Sequence, residues 1–134
     1  MIDLIWTWFK KAVPEPTDKN RAVQYGVHLE EINEMLASID AAQNEDILSV
    51  SEYFKKYSNN LTPINEEDFL DSLCDQIVTA VGVAYMMGYD IRGALAEVNR
   101  SNWSKFENGE PIFDENGKIK KGPNYSPPDL KAYL

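Results

Sequence analysis

Residues 25–39, Tyr25-Gly26-Val27-His28-Leu29-Glu30-Glu31-Ile32-Asn33-Glu34-Met35-Leu36-Ala37-Ser38-Ile39, decide the fold. Tyr25, Leu29, Ile32, Leu36 and Ile39 recur at alternating spacings of four and three, the stripe of a helix that faces a bundle. Extended to its polar flanks, this helix is predicted over about 20–43. Three carboxylates sit inside it. Glu31 and Glu34 are three apart and share a face, on a strip that also carries Val27 and flanks the apolar stripe. Glu30 lies further round the helix and reaches Glu34 at four residues' distance.

A second acidic pair stands in Asp71-Ser72-Leu73-Cys74-Asp75. It falls within the most apolar helical run, 66–87, where Leu70, Leu73, Cys74, Ile77, Val78, Val81 and Tyr85 make a face expected to be buried. Asp71 and Asp75 lie beside Leu70, Cys74 and Val78. Unpaired carboxylates placed there are costly. Each acidic run alone also reads as an ordinary solvated face. Two acidic ridges on two long helices, set against each other, would instead make a four-carboxylate pocket. Repulsion and burial would raise the pKa of each acid unless cations lay between them. Mg²⁺ or Mn²⁺, hard ions with oxygen ligands, fit that need. The expectation is a metal-dependent enzyme acting on phosphates, with Glu31, Glu34, Asp71 and Asp75 as candidate ligands.

Outward from these two helices the punctuation is clear. Apolar residues at 2, 5, 6, 9 and 13 predict a short N-terminal helix stopped by Val13-Pro14-Glu15-Pro16. Its Trp6, Trp8 and Phe9 are expected to pack on the bundle or on a dimer partner; a surface poor in Lys and Arg disfavours a membrane anchor. Residues 14–20 read as a polar linker. Ile47, Val50, Phe54 and Tyr57 predict a further helix over 45–58, closed by the turn cluster of residues 59–63. Asn65 is expected to cap the 66–87 helix, Gly88 to end it and Asp90 to start the next, over about 91–106. Asn99, Asn102 and Lys105 share a face near its end, where amides and an ammonium could hold a phosphate or a base. An ordinary polar helix end is the alternative. Asn116-Gly117 between two short apolar-polar runs predicts a β-hairpin. The segment Gly122 to Leu130, with three prolines, predicts an extended strap. Cys74 reads as a buried structural thiol and His28 as a packed imidazole.

The chain has 134 residues, which suits one domain with a single core. The expected layout is an N-terminal helix (1–13), a helical core (20–107) and a hairpin with tail (108–134). A content of 43% hydrophobic and 11% aromatic residues excludes a disordered chain. With 22 acidic against 13 basic residues the net charge is −9, which disfavours a nucleic acid polymer as partner but not a small nucleotide brought in by a metal. One cysteine excludes an intrachain disulfide or a cysteine zinc cluster and is consistent with a reducing, intracellular setting. No signal peptide is read at the N-terminus. No uninterrupted apolar run of about 18 residues is present, so no membrane span is expected.

Taken together, these motifs resemble the all-α nucleoside triphosphate pyrophosphohydrolases of the MazG type, a superfamily that includes phosphoribosyl-ATP pyrophosphohydrolase-like proteins, and its small phage-type members in particular. Leu29-Glu30-Glu31-Ile32-Asn33-Glu34 is similar to the family's E-E-x-x-E motif, and Asp71-Ser72-Leu73-Cys74-Asp75 to its second acidic motif. Residues 98–105 and 121–130 resemble the substrate-side segments of the phage-type group. The family's second motif is usually E-x-x-D, whereas here Ser72 stands three before Asp75 and the extra acid is Asp71. Thirty-six residues separate Glu34 from Asp71, a long gap that includes the 45–58 helix.

The resemblance implies an all-α bundle of four to five helices with a C-terminal hairpin, completed by oligomerisation as a homodimer or homotetramer in the cytoplasm, or in the host's if phage-encoded. It implies Mg²⁺-dependent hydrolysis of a nucleoside triphosphate between the α and β phosphates, releasing pyrophosphate. Glu30, Glu31 and Glu34 would be the catalytic acids, with Glu31, Glu34, Asp71 and Asp75 on metal. Lys105 and Lys121 would meet phosphate, and Asn99, Asn102 and Tyr125 the rest of the nucleotide. A non-catalytic relative that binds a nucleotide or partner is the alternative; an interaction module built on Trp6, Trp8 and Phe9 is a third.

Overall fold

Local chemistry starts and stops each helix. In the computed structural model, which describes residues 1–39 and 45–134, α1 spans Ile2–Ala12 and ends where Val13 precedes Pro14. Helix α2, Asp18–Ser38, begins two residues earlier than its apolar stripe suggests. Thr17 and Asn20 form a reciprocal capping box there, satisfying donors that the first turn leaves without partners. The predicted extension of this helix to Gln43 lies in part outside the described residues. Helix α3, Glu45–Glu52, runs into a π-helical turn at Tyr53–Tyr57. Asn65 caps α4, Glu66–Met87, by accepting from the amides of Glu67 and Asp68. Gly88 closes α4 at φ 79°, a conformation that favours glycine. Asp90 accepts from Gly93 N to start α5, Ile91–Trp103. Among the described residues the fold is therefore all-α, with five α-helices.

Two packed units result. In one, α2 lies on α3 and the π turn, and Gly26 lets the backbones approach closely. A Cβ at Gly26 would lie 2.7 Å from the Ser51 carbonyl oxygen. Fully buried Ser51 donates from Oγ to the Gly26 carbonyl at 2.7 Å. Lys19 Nζ donates to the Ser58 carbonyl at 2.8 Å, a cation at a helix C-terminus where the dipole favours it. Tyr25 meets Phe54 edge-on, with ring centroids 4.8 Å apart. In the other unit α1 lies on α5. Trp8 stacks on Phe106 with centroids 5.4 Å apart, and Ala12, Val13 and Ile119 close the cluster. Trp6, by contrast, is exposed.

The C-terminal residues are held along α5 rather than in a sheet. Ser101 Oγ and Ser104 Oγ donate to the Ser126 carbonyl, Arg100 to that of Pro127, and Gly122 N to that of Lys105. Tyr133 O accepts from Asp90 N at 2.9 Å. The predicted hairpin is corrected by this arrangement: no strand occurs among the described residues. Asp114 to Gly117 form a turn with Gly117 at φ 81°, and Asp114 Oδ1 accepts from the amides of Asn116 and Lys118. Only the isolated bridge Phe113–Ile119 flanks it. Pro111 on one arm, and the Gly122 bond to α5 on the other, leave no length for a ladder.

A larger departure concerns α4. Most of the stripe expected to be buried is bare: Leu70, Ile77, Val78, Val81 and Tyr85 are 62, 55, 65, 45 and 76% exposed, Leu73 is half-buried, and Ala84 is the one buried residue of the helix. Cys74 is likewise exposed, not a buried structural thiol. The reason is geometric. Within the chain α4 meets α5 through their connecting turn and meets α2 at Tyr25–Phe69 and His28–Gln76; Leu70, Cys74, Val78 and Tyr85 lie on the side away from α2, while Ile77 and Val81 line an open groove toward α1 and α5. Against the expectation of no span, α4 is long and apolar enough to cross a membrane by length and composition.

Candidate functional site

Glu30 opens the acidic motif and is the most constrained of its carboxylates. Lys118, from the turn after Asn116-Gly117, donates to its Oε2 at 2.7 Å. Lys55, from the π turn, lies 3.2 Å from Oε1. Burial pushes the Glu30 carboxyl up, but hydrogen bonds and charge from Lys118 and Lys55 outweigh it and hold the pKa below the ordinary value. Glu30 is thus ionised, shared between two cations, and acts as a tie between α2, α3 and the C-terminal turn. Neither partner was among the predicted site residues. Lys55 was legible in retrospect: Gly26 and Glu30 are four apart on α2, and Ser51 and Lys55 are four apart opposite them. Lys118 was not, because only the tertiary path of the turn carries it over α2.

Glu31 and Glu34 are exposed and make no ion pair among the described residues. Glu31 lies within electrostatic reach of Lys105. That lysine is half-buried, and burial, the largest effect, lowers its pKa; Tyr125 and Glu31 act to raise it, and Lys121 and Lys118 to lower it further. Lys121 Nζ sits 4.7 Å from the centre of the Tyr125 ring, a cation–π contact. Gly122 makes this convergence possible. A Cβ there would lie 2.6 Å from the Lys105 carbonyl oxygen, which already accepts from Gly122 N at 2.9 Å. The structure therefore gathers Glu31, Lys105, Lys121 and Tyr125, all predicted, with Lys118 added, at the junction of α2, the end of α5 and the strap.

Asn99 and Asn102 are half-buried on α5, about two turns and one turn before this junction. Between them Arg100 makes a two-pronged pair with Glu97, at 2.8 and 2.7 Å. Those bonds and the amide of Asp129 hold the Glu97 carboxyl down at about 2.

Asp71 and Asp75 stand apart. Gln76 and Phe69 mark the side of α4 that faces α2. At 3.6 residues per turn, Asp75 lies about 100° round the helix from Gln76 and Asp71 about 140°. They do not face Glu31 and Glu34 within one chain, and no group of three metal-ligating acids, histidines or cysteines forms among the described residues. Glu31 and Glu34 do fit a hard cation in donor chemistry: two solvent-facing carboxylates, three residues apart, suit an ion that keeps most of its waters. Asn33, inside the same motif, is buried with its Oδ1 lacking a hydrogen-bond partner. His28 donates from Nε2 to Gln76 Oε1, the packed role expected of it.

The chain matches no family model, no curated protein and no solved structure.

Proposed function

We propose that the chain is a Mg²⁺-dependent nucleoside triphosphate pyrophosphohydrolase, cleaving between the α and β phosphates to give monophosphate and pyrophosphate. What supports the reading is one juxtaposition: three lysines, Lys105, Lys118 and Lys121, gather with Tyr125 beside the exposed acid Glu31. Acids that can hold a metal and cations that can hold phosphate are the two halves that phosphoryl-group chemistry needs.

In this reading Glu31 and Glu34 would hold Mg²⁺, or Mn²⁺, and Asp71 and Asp75, turned away from them within one chain, could join only from the α4 of a partner copy. Bound there, the ion would neutralise phosphate charge and lower the pKa of a water. The remaining work belongs to the chain. Lys105 and Lys121 bind the polyphosphate, and the half-buried position of Lys105 strengthens its pull on an anion. Tyr125 and Asn102 orient the sugar or base, with Asn99 behind them. Glu30 positions Lys118 and Lys55. A homodimer or homotetramer completes the bundle.

The test is a screen of ribo- and deoxynucleoside triphosphates for Mg²⁺-dependent pyrophosphate release, with Glu34→Gln beside the parent. A Glu34→Gln protein as fast as the parent overturns the site. Nucleotide binding by calorimetry without turnover over long incubation favours the non-catalytic relative instead.

A further inference from the structure

The bare face of α4 and the charge pattern along that helix specify a partner. We infer that α4 is the interface for a second copy of this chain, packed antiparallel against its counterpart with Val78 of one copy against Val81 of the other. The inference rests on the pairing of chains proposed above and not on the chemistry of the site.

Three observations carry it. The first is size. Leu70, Cys74, Ile77, Val78, Val81 and Tyr85 are exposed along one stripe. At ordinary side-chain surfaces their bare area is on the order of 700 Å² per copy, close to the ~800 Å² that each partner gives to a stable interface. An apolar groove of about 250 Å³ between α1, α4 and α5, lined by Ile2, Ile5, Ile77, Ala80, Val81 and Leu95 among others, continues the stripe.

The second is symmetry. The inner positions 74, 78, 81 and 85 are spaced four, three and four, a pattern identical when read in either direction. An isologous pair requires such self-complementarity. Turned antiparallel about its midpoint, the stripe sets Val78 on Val81 and Cys74 on Tyr85 of the partner copy.

The third is charge. All five acids of α4 (Glu66, Glu67, Asp68, Asp71 and Asp75) lie in its first half, and the helix has no Lys, Arg or His. A parallel pair would stack five carboxylates on five. The antiparallel pair lays each acidic half on an uncharged half and opposes the helix dipoles. A lipid surface is the poorer occupant, because helices that lie on membranes carry Lys and Arg along their polar face.

The test is sedimentation equilibrium of the full chain at micromolar concentration, with circular dichroism alongside. The parent is expected to be a dimer, and Val78→Arg to weaken it roughly 100-fold or more, as a charge placed at the centre of an apolar interface does. Should Val78→Arg lose its helicity, Tyr85→Arg serves in its place: that side chain is 76% exposed in the single chain, so the charge leaves the fold intact and weakens only the dimer. Tyr85→Cys fixes the register. Mild oxidation cross-links the introduced thiol to Cys74 of the partner copy, whereas the parent's own Cys74 pair, about 16 Å apart along the axis, does not cross-link. A monomeric parent, a dimer indifferent to both Val78→Arg and Tyr85→Arg, cross-linking through Cys74 alone, or a monomer that floats with phosphatidylcholine vesicles would each overturn the inference. None of these readouts depends on turnover.

Discussion

Gly26→Ala tests whether the close approach of α2 to α3 is what sets the acidic helix in place. In isolation the change favours α2, because alanine in a helix interior is better than glycine by about 1 kcal/mol. The tertiary contact opposes it. The new Cβ would lie 2.7 Å from the Ser51 carbonyl oxygen and 3.0 Å from Lys55 N, both backbone atoms, where ordinary contact begins at 3.4 Å. Helix α3 and the π turn must therefore withdraw by about 0.7 Å, an overpacking cost of about 1–3 kcal/mol. Withdrawal also stretches the bond from Ser51 Oγ to the Gly26 carbonyl, and a fully buried hydroxyl left without its acceptor costs about 1–3 kcal/mol. The costs exceed the gain, for a net loss of about 1–5 kcal/mol, or roughly 3–25 °C in Tm for a chain of this size. The same withdrawal draws Lys55 from Glu30. Gly82→Ala is the control: no atom lies within 4 Å of a Cβ there, so the helix preference acts alone and Tm rises by a few degrees. Urea unfolding followed by circular dichroism measures both. If Gly26→Ala is as stable as the parent, the account of the α2–α3 contact is wrong.

Three other perturbations have definite outcomes. Lys118→Met removes one of the two cations on Glu30, so the Glu30 pKa rises toward its ordinary value, and a carbon-detected titration reads this directly. Because the parent's Glu30 is depressed, the pair stabilises at neutral pH and its contribution disappears as pH falls through that lowered value; with Lys118 more than a third exposed the loss on mutation is at most about 1 kcal/mol. Glu97→Gln breaks the anchor of the strap: the Asp129 amide loses its carboxylate acceptor, and its hydrogen exchange accelerates while the helical signal is unchanged. The parent shows the same loosening only in acid, as pH falls from 4.5 toward about 2, the sign required of a carboxylate with a depressed pKa. Lys105→Met relieves the burial that disfavours the charged lysine, so Tm holds or rises, while binding of a nucleoside triphosphate by calorimetry weakens about tenfold or more if this lysine meets phosphate. Unchanged binding would remove Lys105 from the site.

The helices and their ends were written locally. Asn65, Gly88 and Asp90 act through their own neighbours' amides and backbone angles, and apolar periodicity over 2–12, 18–38 and 66–87 needs no distant contact to be read. The all-α class follows from them, as does the shared face of Glu31 and Glu34. What surrounds those faces was not written there. A stripe such as Leu70, Cys74, Val78, Val81 and Tyr85 says that something apolar must cover it, and periodicity cannot say whether that is the same chain; in the folded chain it is not. The hairpin failed for a related reason, since Asn116-Gly117 specified the turn while Pro111 and the grip of α5 on Gly122 decided that no ladder extends from it. The candidate site divides along the same line. Sequence alone picked out Glu31, Lys105, Lys121 and Tyr125 as separate residues. Only the tertiary path of the strap, admitted by the missing Cβ of Gly122, brings them together; the rotation of α4 turns Asp71 and Asp75 away from α2, and the π turn and the 114–118 turn commit Glu30 to Lys55 and Lys118, because side-chain spacing along one helix carries no information about which helix lies opposite.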